Sequence, residues 1–226
     1  MKKNKISKNW LKKRKKDKYF KDSKIQGYRS RSAFKLIEMN NKFKFFKKKT
    51  LLVDLGSCPG VWSQVAEKEI VNGKILAIDI KPMEKINNVD FIQGDFLSDA
   101  ITKKIELHFN SKIDVVLSDM AANTTGIKNI DSIYISELCK EAMLFSKEML
   151  NYNGKFVSKI FMGSTFNEIV TNAKLIFKDV KVFKPKSSRK DSKENFIICK
   201  NLRKIEHINV QQIQINYRYY SIFEFF

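Results

Sequence analysis

Apolar residues along this chain fall into short runs separated by longer stretches of helical period. Leu51–Leu55 is apolar except for Asp54 near its end, the length and bounds of a buried strand. Similar runs at 74–80, 89–93, 113–118, 155–161, 180–183 and 195–199 predict further strands. Helical patterns lie between them at 61–70, at 131–150, where Asn151-Tyr152-Asn153-Gly154 gives a stop, and at 165–177. Ahead of the first strand, residues 28–38 predict a helix that Ser30 or Ser32 can cap. On it Phe34, Ile37 and Leu36 are expected to face the core, with Lys35 and Glu38 on another side. Strand and helix alternate, the pattern of an α/β domain with a mainly parallel sheet. Beyond Lys200 the chain alternates weakly through Ile213, Ile215, Tyr217 and Tyr219, compatible with an added edge strand.

Length and composition narrow the class. The 226 residues, 43% of them hydrophobic, suit one domain with appendages: a basic arm at 1–24, a folded unit at 25–202 and an extension at 203–226. No apolar run approaches the roughly 18 residues a membrane span needs. Cys58, Cys139 and Cys199 have neither metal nor disulfide spacing, and His108 and His207 stand alone. A reducing, intracellular setting and the absence of a metal are the expectations.

Charge changes the picture more. Of the formal +20, residues 1–49 carry +17, from 20 bases against Asp17, Asp22 and Glu38. A nearly neutral domain with a strongly basic arm fits a nucleic-acid binder. A solvated tail in a lysine-biased chain is the plainer alternative. Trp10 and Leu11 are too few to insert into a membrane. No apolar core marks a secretory signal; a mitochondrial presequence would favour Arg and Ser over Lys, and cytoplasm, nucleus and mitochondrion all stay open.

Candidate chemistry centres on the turn after the first strand. Gly56 and Gly60 flank Ser57, Cys58 and Pro59. Glycine at a strand's carboxyl end lets backbone approach a ligand, although any strand-to-helix turn can need it. The spacing is neither a dinucleotide fingerprint nor a phosphate loop, which brings an adenosyl cofactor forward. Asp54, Asp79, Asp95 and Asp119 all lie at or just past strand ends. Asp79 is at the separation from Gly56 at which an acid reaches ribose hydroxyls. Asp95 and Phe96 can bond and stack an adenine, Trp62 can close the pocket, and Asp119 lies toward the reactive carbon. Lys159 near a buried strand's end is costly without a partner or a task.

Several motifs together resemble the FtsJ/RrmJ family of heat-shock-associated ribosomal RNA 2′-O-ribose methyltransferases. They are SRSAFKLIEM (30–39), VDLGSCPGVWSQVA (53–66), AIDIKPM (77–83), VDFIQGDF (89–96), VVLSDMAANTTG (115–126), GKFVSKIFMG (154–163) and KPKSSRKDSKENFI (184–197). The resemblance runs unbroken over roughly 7–202. It implies a class I fold with a seven-stranded, mainly parallel sheet, the last strand antiparallel, and helices on both faces. It also implies S-adenosyl-L-methionine as methyl donor, S-adenosyl-L-homocysteine as product, no metal, and a monomer acting on RNA of the large ribosomal subunit. The family's Lys-Asp-Lys-Glu set falls on Lys35, Asp119, Lys159 and Glu194, with Lys159 as general base. The family's cofactor contacts fall on Gly60, Trp62, Asp79, Asp95 and Asp119; with Gly56, Pro59 and Phe96 from the turn and the acids read above, these make the expected cofactor site. Val61 and Ala122 depart from the family's glycine and proline. Transfer RNA or an mRNA cap as target, and a non-catalytic ribosome-assembly factor, are the competing readings.

Overall fold

A computed structural model describes residues 17–121 and 128–204. Seven strands form one sheet: β1 (Leu51–Leu55), β2 (Lys74–Asp79), β3 (Asp90–Gln93), β4 (Ile113–Ser118), β5 (Leu150–Phe161), β6 (Phe177–Phe183) and β7 (Glu194–Leu202). Their order is β3-β2-β1-β4-β5-β7-β6. Strands β3 to β5 pair in parallel, and β7 runs antiparallel between β5 and β6. Among the described residues six helices accompany it: α1 (Lys18–Ile25), α2 (Ala33–Phe43), α3 (Val61–Glu69), α4 (Asp99–Phe109), α5 (Lys128–Met149) and α6 (Phe166–Ile176). The expected doubly covered α/β sheet is what forms.

Strand residues of alternating parity bury on opposite faces, so the sheet divides two cores. Val53, Leu55 and Val116 pack with α4, α5 and α6 through Ile105, Met143 and Ala173. Leu52, Val115 and Leu117 pack with α2 and α3 through Leu36, Met39 and Val65. Chain order reverses between β1 and β4, and a crevice opens above their carboxyl ends. Every site residue considered below comes from that end or from the start of α2.

Several elements depart from the sequence reading. On α2 the fully buried residues are Ala33, Leu36 and Met39, while Phe34 and Ile37 are half-buried. Phe34 turns instead to the aromatic rings of Tyr19 and Tyr28. Ser32 precedes α2 without capping it through its side chain. Helix α4 was not anticipated; Ser98 caps it, its oxygen accepting from Ile101 N–H, and Ile101, Ile105 and Phe109 bury its inner stripe. Asn151 to Gly154 do not end a helix in open loop: β5 already begins at Leu150, paired to Ile113 across a register irregularity. Helix α1 is folded, with Ser23 buried, so the boundary placed after Lys24 falls inside a packed element. The basic stretch 1–16 and the alternating tail lie outside the described residues.

Candidate active site

The turn leaving β1 is built around two left-handed glycines. Gly56 has φ +67° and Gly60 φ +96°, a region that side-chain-bearing residues enter at a cost. Neighbouring side chains crowd the space as well. A Cβ on Gly56 would lie 2.2 Å from Met120 Cγ, and one on Gly60 2.6 Å from Arg29 Nη1. Asp79, at the end of β2, ties the turn in place: its Oδ2 accepts from Cys58 N at 2.8 Å, and its Oδ1 from Lys81 N at 2.8 Å. Each oxygen keeps acceptor capacity for a ligand hydroxyl. Arg29, which no spacing in the sequence marks, clamps the turn from the other side. Its guanidinium donates to Pro59 O (2.5 Å) and to the carbonyls of Glu84 (3.0 Å) and Lys85 (3.2 Å).

The two aromatic residues assigned to the pocket serve the interior. Trp62 is 2% exposed and its ring lies 5.6 Å from that of Phe196. Its indole N–H donates toward Ser32 O and Oγ, both at 3.2 Å, so it positions Ser32. Phe96 is 7% exposed and meets Phe145 edge-on at 5.9 Å. Stacking on an adenine is therefore not a role this ring is free to take. Asp95 beside it is exposed, with Oδ1 accepting from Leu97 N at 3.0 Å. Val61 is buried in the α2/α3 core, and Ala122 lies outside the described residues.

Lys35, Asp119, Lys159 and Glu194 come together as two ion pairs. Lys159, 8% exposed near the end of β5, donates to the carbonyls of Asp119 (2.7 Å) and Met120 (3.2 Å). Its Nζ also lies 2.8 Å from Asp119 Oδ1, off the axis of a formal hydrogen bond to that oxygen. The other oxygen of Asp119 accepts from Ser32 Oγ at 2.8 Å. Across the cleft, Lys35 Nζ donates to Glu194 Oε2 at 2.7 Å, and Ser188 Oγ donates to Glu194 Oε1 at 2.9 Å. Antiparallel pairing sets Phe196 opposite Lys159 and Glu194 opposite Phe161, so β7 carries Glu194 to the cleft beside β5. Together Ser30, Arg31, Ser32, Lys35, Asp119, Arg189, Ser192 and Glu194 line a cleft of about 320 Å³.

Electrostatics assigns these acids different states. Burial opposes ionisation of Asp119, but the charges of Lys159, close against it, and of Lys35, with the bond from Ser32, outweigh it and hold the carboxyl below its ordinary range. Asp54 goes the other way. Burial, helped by the charges of Asp119 and Asp79, pushes it up to about 7 against the bond it receives from Ser63 Oγ at 2.6 Å. It is a core carboxyl behind the turn, and its Oδ1 has no hydrogen-bond partner among the described residues. Among the described residues no group of three or more His, Cys, Asp and Glu side chains is arranged to hold a metal.

A loop over 184–193 closes one wall of the cleft. Both oxygens of Glu38 accept backbone N–H groups from it, Lys186 at 2.6 Å and Ser187 at 2.9 Å. Arg31 bridges Asp17 and the Ser187 carbonyl. Lys184 Nζ donates to Ser192 O at 2.5 Å. The resemblance names the four residues that the fold brings together here, but nothing in the sequence marks these fasteners, because Glu38 and Ser187 are far apart in the chain and no local pattern joins them.

The chain is similar to known methyltransferases. Residues 28–202 match the model of the FtsJ-like methyltransferase family. The ribosomal RNA large subunit methyltransferase E of Pelagibacter ubique (strain HTCC1062) is 59% identical over 203 residues, 90% of this chain and 100% of that one. Its namesake from Wolbachia pipientis wMel is 46% identical, covering 80% of this chain and 93% of that one. A crystal structure from Plasmodium falciparum, described as a ribosomal RNA methyltransferase, superposes with a TM-score of 0.70 at 36% identity, over 77% of this chain and 98% of that one.

Proposed function

Because the chain belongs to the FtsJ-like methyltransferase family, we propose that it methylates a ribose 2′-hydroxyl of RNA, in RNA of the large ribosomal subunit, using S-adenosylmethionine. The observation that carries this reading is the tetrad: Lys159 against Asp119, and Lys35 against Glu194, beside the glycine turn. The site suits an adenosyl cofactor. Gly56 and Gly60 add no side chain of their own to the turn, Asp79 retains acceptor capacity for ribose hydroxyls, and Asp95 is exposed for an amino group. When bound, S-adenosylmethionine supplies an electrophilic methyl on a sulfonium.

The chain's own residues then have separable tasks. Lys159 Nζ, once neutral, takes the 2′-hydroxyl proton as the oxygen attacks. Two carbonyls and a carboxylate surround that nitrogen and hold it at the end of β5. Asp119 and Ser32 fix the amine's position, while Lys35, held by Glu194, faces the cleft. Placement of the oxygen in line with the methyl carbon supplies much of the rate, and the positioned base contributes roughly 10²- to 10⁴-fold. The names of the relatives support ribosomal RNA as the target.

Lys159→Arg tests the base. Guanidinium keeps the charge but does not give up a proton at neutral pH. The variant should lose single-turnover methyl transfer while cofactor and RNA affinities stay within a few-fold, and the wild-type rate should climb with pH. A near-normal rate in the arginine variant at saturating substrates would leave Lys159 a fixed charge and end the base assignment. Methylation mapping of cellular RNA with and without the protein tests the target. Ribose methylation lost from transfer RNA or caps alone would move the substrate.

A further inference from the structure

Helix α2 joins two basic sites. Its first turn bears Lys35 in the cleft; its other end opens onto a separate set of charges. Between Glu38 and Asp54 the chain has five lysines, Lys42, Lys44 and the run at 47–49, and no acid. All five are exposed. Behind them Lys155 and Lys200 face each other as cross-strand partners on β5 and β7, each half-buried. Lys200 Nζ donates to Phe43 O at 2.8 Å, and Lys155 Nζ to the carbonyls of Lys44 (3.2 Å) and Phe45 (3.1 Å). These two lysines satisfy the open carbonyls at the end of α2.

That structural duty does not extend to the five exposed lysines. None of the seven forms an ion pair with a described residue. Acids at the border are otherwise occupied: Asp114 accepts from Leu51 N and the Asn151 amide, Asp179 from the Asn201 amide, and Glu69 from the Asn40 amide. Like charges opposite each other on paired strands are unfavourable. Burial, followed by the charges of Lys47 and Lys200, lowers the Lys155 ammonium's pKa, with Asp114 opposing. The repulsion is thus felt in the free protein and would be relieved by an external anion. The exposed positions are lysine throughout, with no arginine, and the neighbouring Phe43 and Phe45 rings are buried. A protein interface favours exposed aromatic residues and arginine and is poor in lysine. Point charges on long stems instead suit sequence-independent contact with phosphates.

We propose that this lysine surface holds a stretch of RNA phosphate backbone away from the nucleotide being methylated, an inference that rests on RNA being the substrate. Lys155 and Lys159 share one face of β5 four residues apart, ~13 Å at the rise of a strand. That is the length of about four stacked nucleotides. One RNA can therefore run from the cleft, along α2, to the lysine surface. Such binding would add affinity and orientation without sequence choice.

The test combines Lys42→Gln, Lys44→Gln, Lys47→Gln, Lys48→Gln and Lys49→Gln in the full chain. Its control carries arginine substitutions at the same positions. Binding to purified large-subunit ribosomal RNA is measured across a salt series, alongside cofactor binding, melting temperature and kcat at saturating RNA. The glutamine variant should bind RNA more weakly, with the log–log salt slope reduced by up to about 0.7–0.9 for each phosphate it no longer neutralises. The arginine variant should restore both, and cofactor affinity, melting temperature and kcat should stay near wild type. A smaller variant, Lys47→Gln with Lys48→Gln, avoids the left-handed positions Lys44 and Lys49 (φ 53° and 62°) and should move the slope in the same direction without any cost to folding. Glutamine variants with the wild-type slope would overturn the proposal. So would weaker binding to ribosomal particles with naked RNA binding unchanged, which assigns the surface to a protein. If wild type itself neither methylates nor binds the RNA, the substrate reading fails instead, a result visible before any variant is compared.

Discussion

Asp54 shows how one residue can carry a pH dependence that belongs to the fold. Its carboxyl is buried and raised from 3.8 to about 7. The folded state therefore binds a proton that the unfolded state has released. The associated stability is complete below pH 3.8 and is lost as pH rises through about 7. Three units correspond to roughly 4 kcal/mol. Asp54→Asn should flatten the profile of urea unfolding free energy over this window, whatever constant offset the change brings. Parallel profiles for wild type and variant would mean that Asp54 ionises normally. Gly56→Ala tests the turn. A left-handed backbone costs an L-residue roughly 1–2 kcal/mol, and the methyl would collide with Met120. Calorimetry should find cofactor binding abolished or much weakened, and full affinity would separate turn geometry from the cofactor site. At this scale the sequence marked the position of charges better than the direction of side chains. Lys159 and Asp79 declared themselves as charges at strand ends. Trp62 and Phe96 did not reveal which side of the backbone their rings would take, and both went inward.

Among the elements, strands were the most legible, because Leu51–Leu55 and Ile113–Ser118 are apolar runs closed by polar residues. Helix α4 went unread although Ile101, Ile105 and Phe109 lie at helical spacing behind Ser98, because its charged outer face obscured the stripe. The early start of β5 had no local signal, since Asn and Gly ordinarily interrupt a strand, and only pairing with β4 overrides them. What the sequence could not show was the fastening of the 184–193 loop. Glu38→Ala removes the acceptor of two backbone N–H groups on that loop. Losing a charged hydrogen bond costs about 1.5–3 kcal/mol, enough to favour opening of a surface loop. Limited proteolysis should cut faster within 186–192, and the KM for RNA should rise because Arg189 and Ser192 line the cleft. Cofactor affinity should not change. An equal cleavage rate in wild type and variant would show that Arg31 and Lys184 hold the loop without Glu38.

For the molecule as a whole, the basic arm and the domain must be separated where the fold allows it. Composition places the change of character near residue 24, but packing places it earlier. Asp17 caps α1 and pairs with Arg31, Tyr19 lies 5.5 Å from Phe34, and Ser23 is buried. Arg31 in turn reaches the Ser187 carbonyl, so α1 supports the wall of the cleft. Residues 1–16 hold nine bases and no acid, and removing them leaves a formal charge of +11 from +20. Two truncations should therefore behave differently. Deleting 1–16 should preserve melting temperature and cofactor affinity while weakening RNA binding and flattening its salt dependence, as the neutralisation of fewer phosphates requires. Deleting 1–24 removes the helix as well, leaving Arg31 without Asp17 and the Phe34 ring uncovered. That protein should melt at a lower temperature and should lose methyl transfer beyond what weaker RNA binding explains, even at saturating RNA. The comparison is decided by the shorter deletion. If it binds RNA with the wild-type salt slope, the arm's charge does not touch RNA, and the polyanion-binding work falls to the cleft and the lysines at the far end of α2.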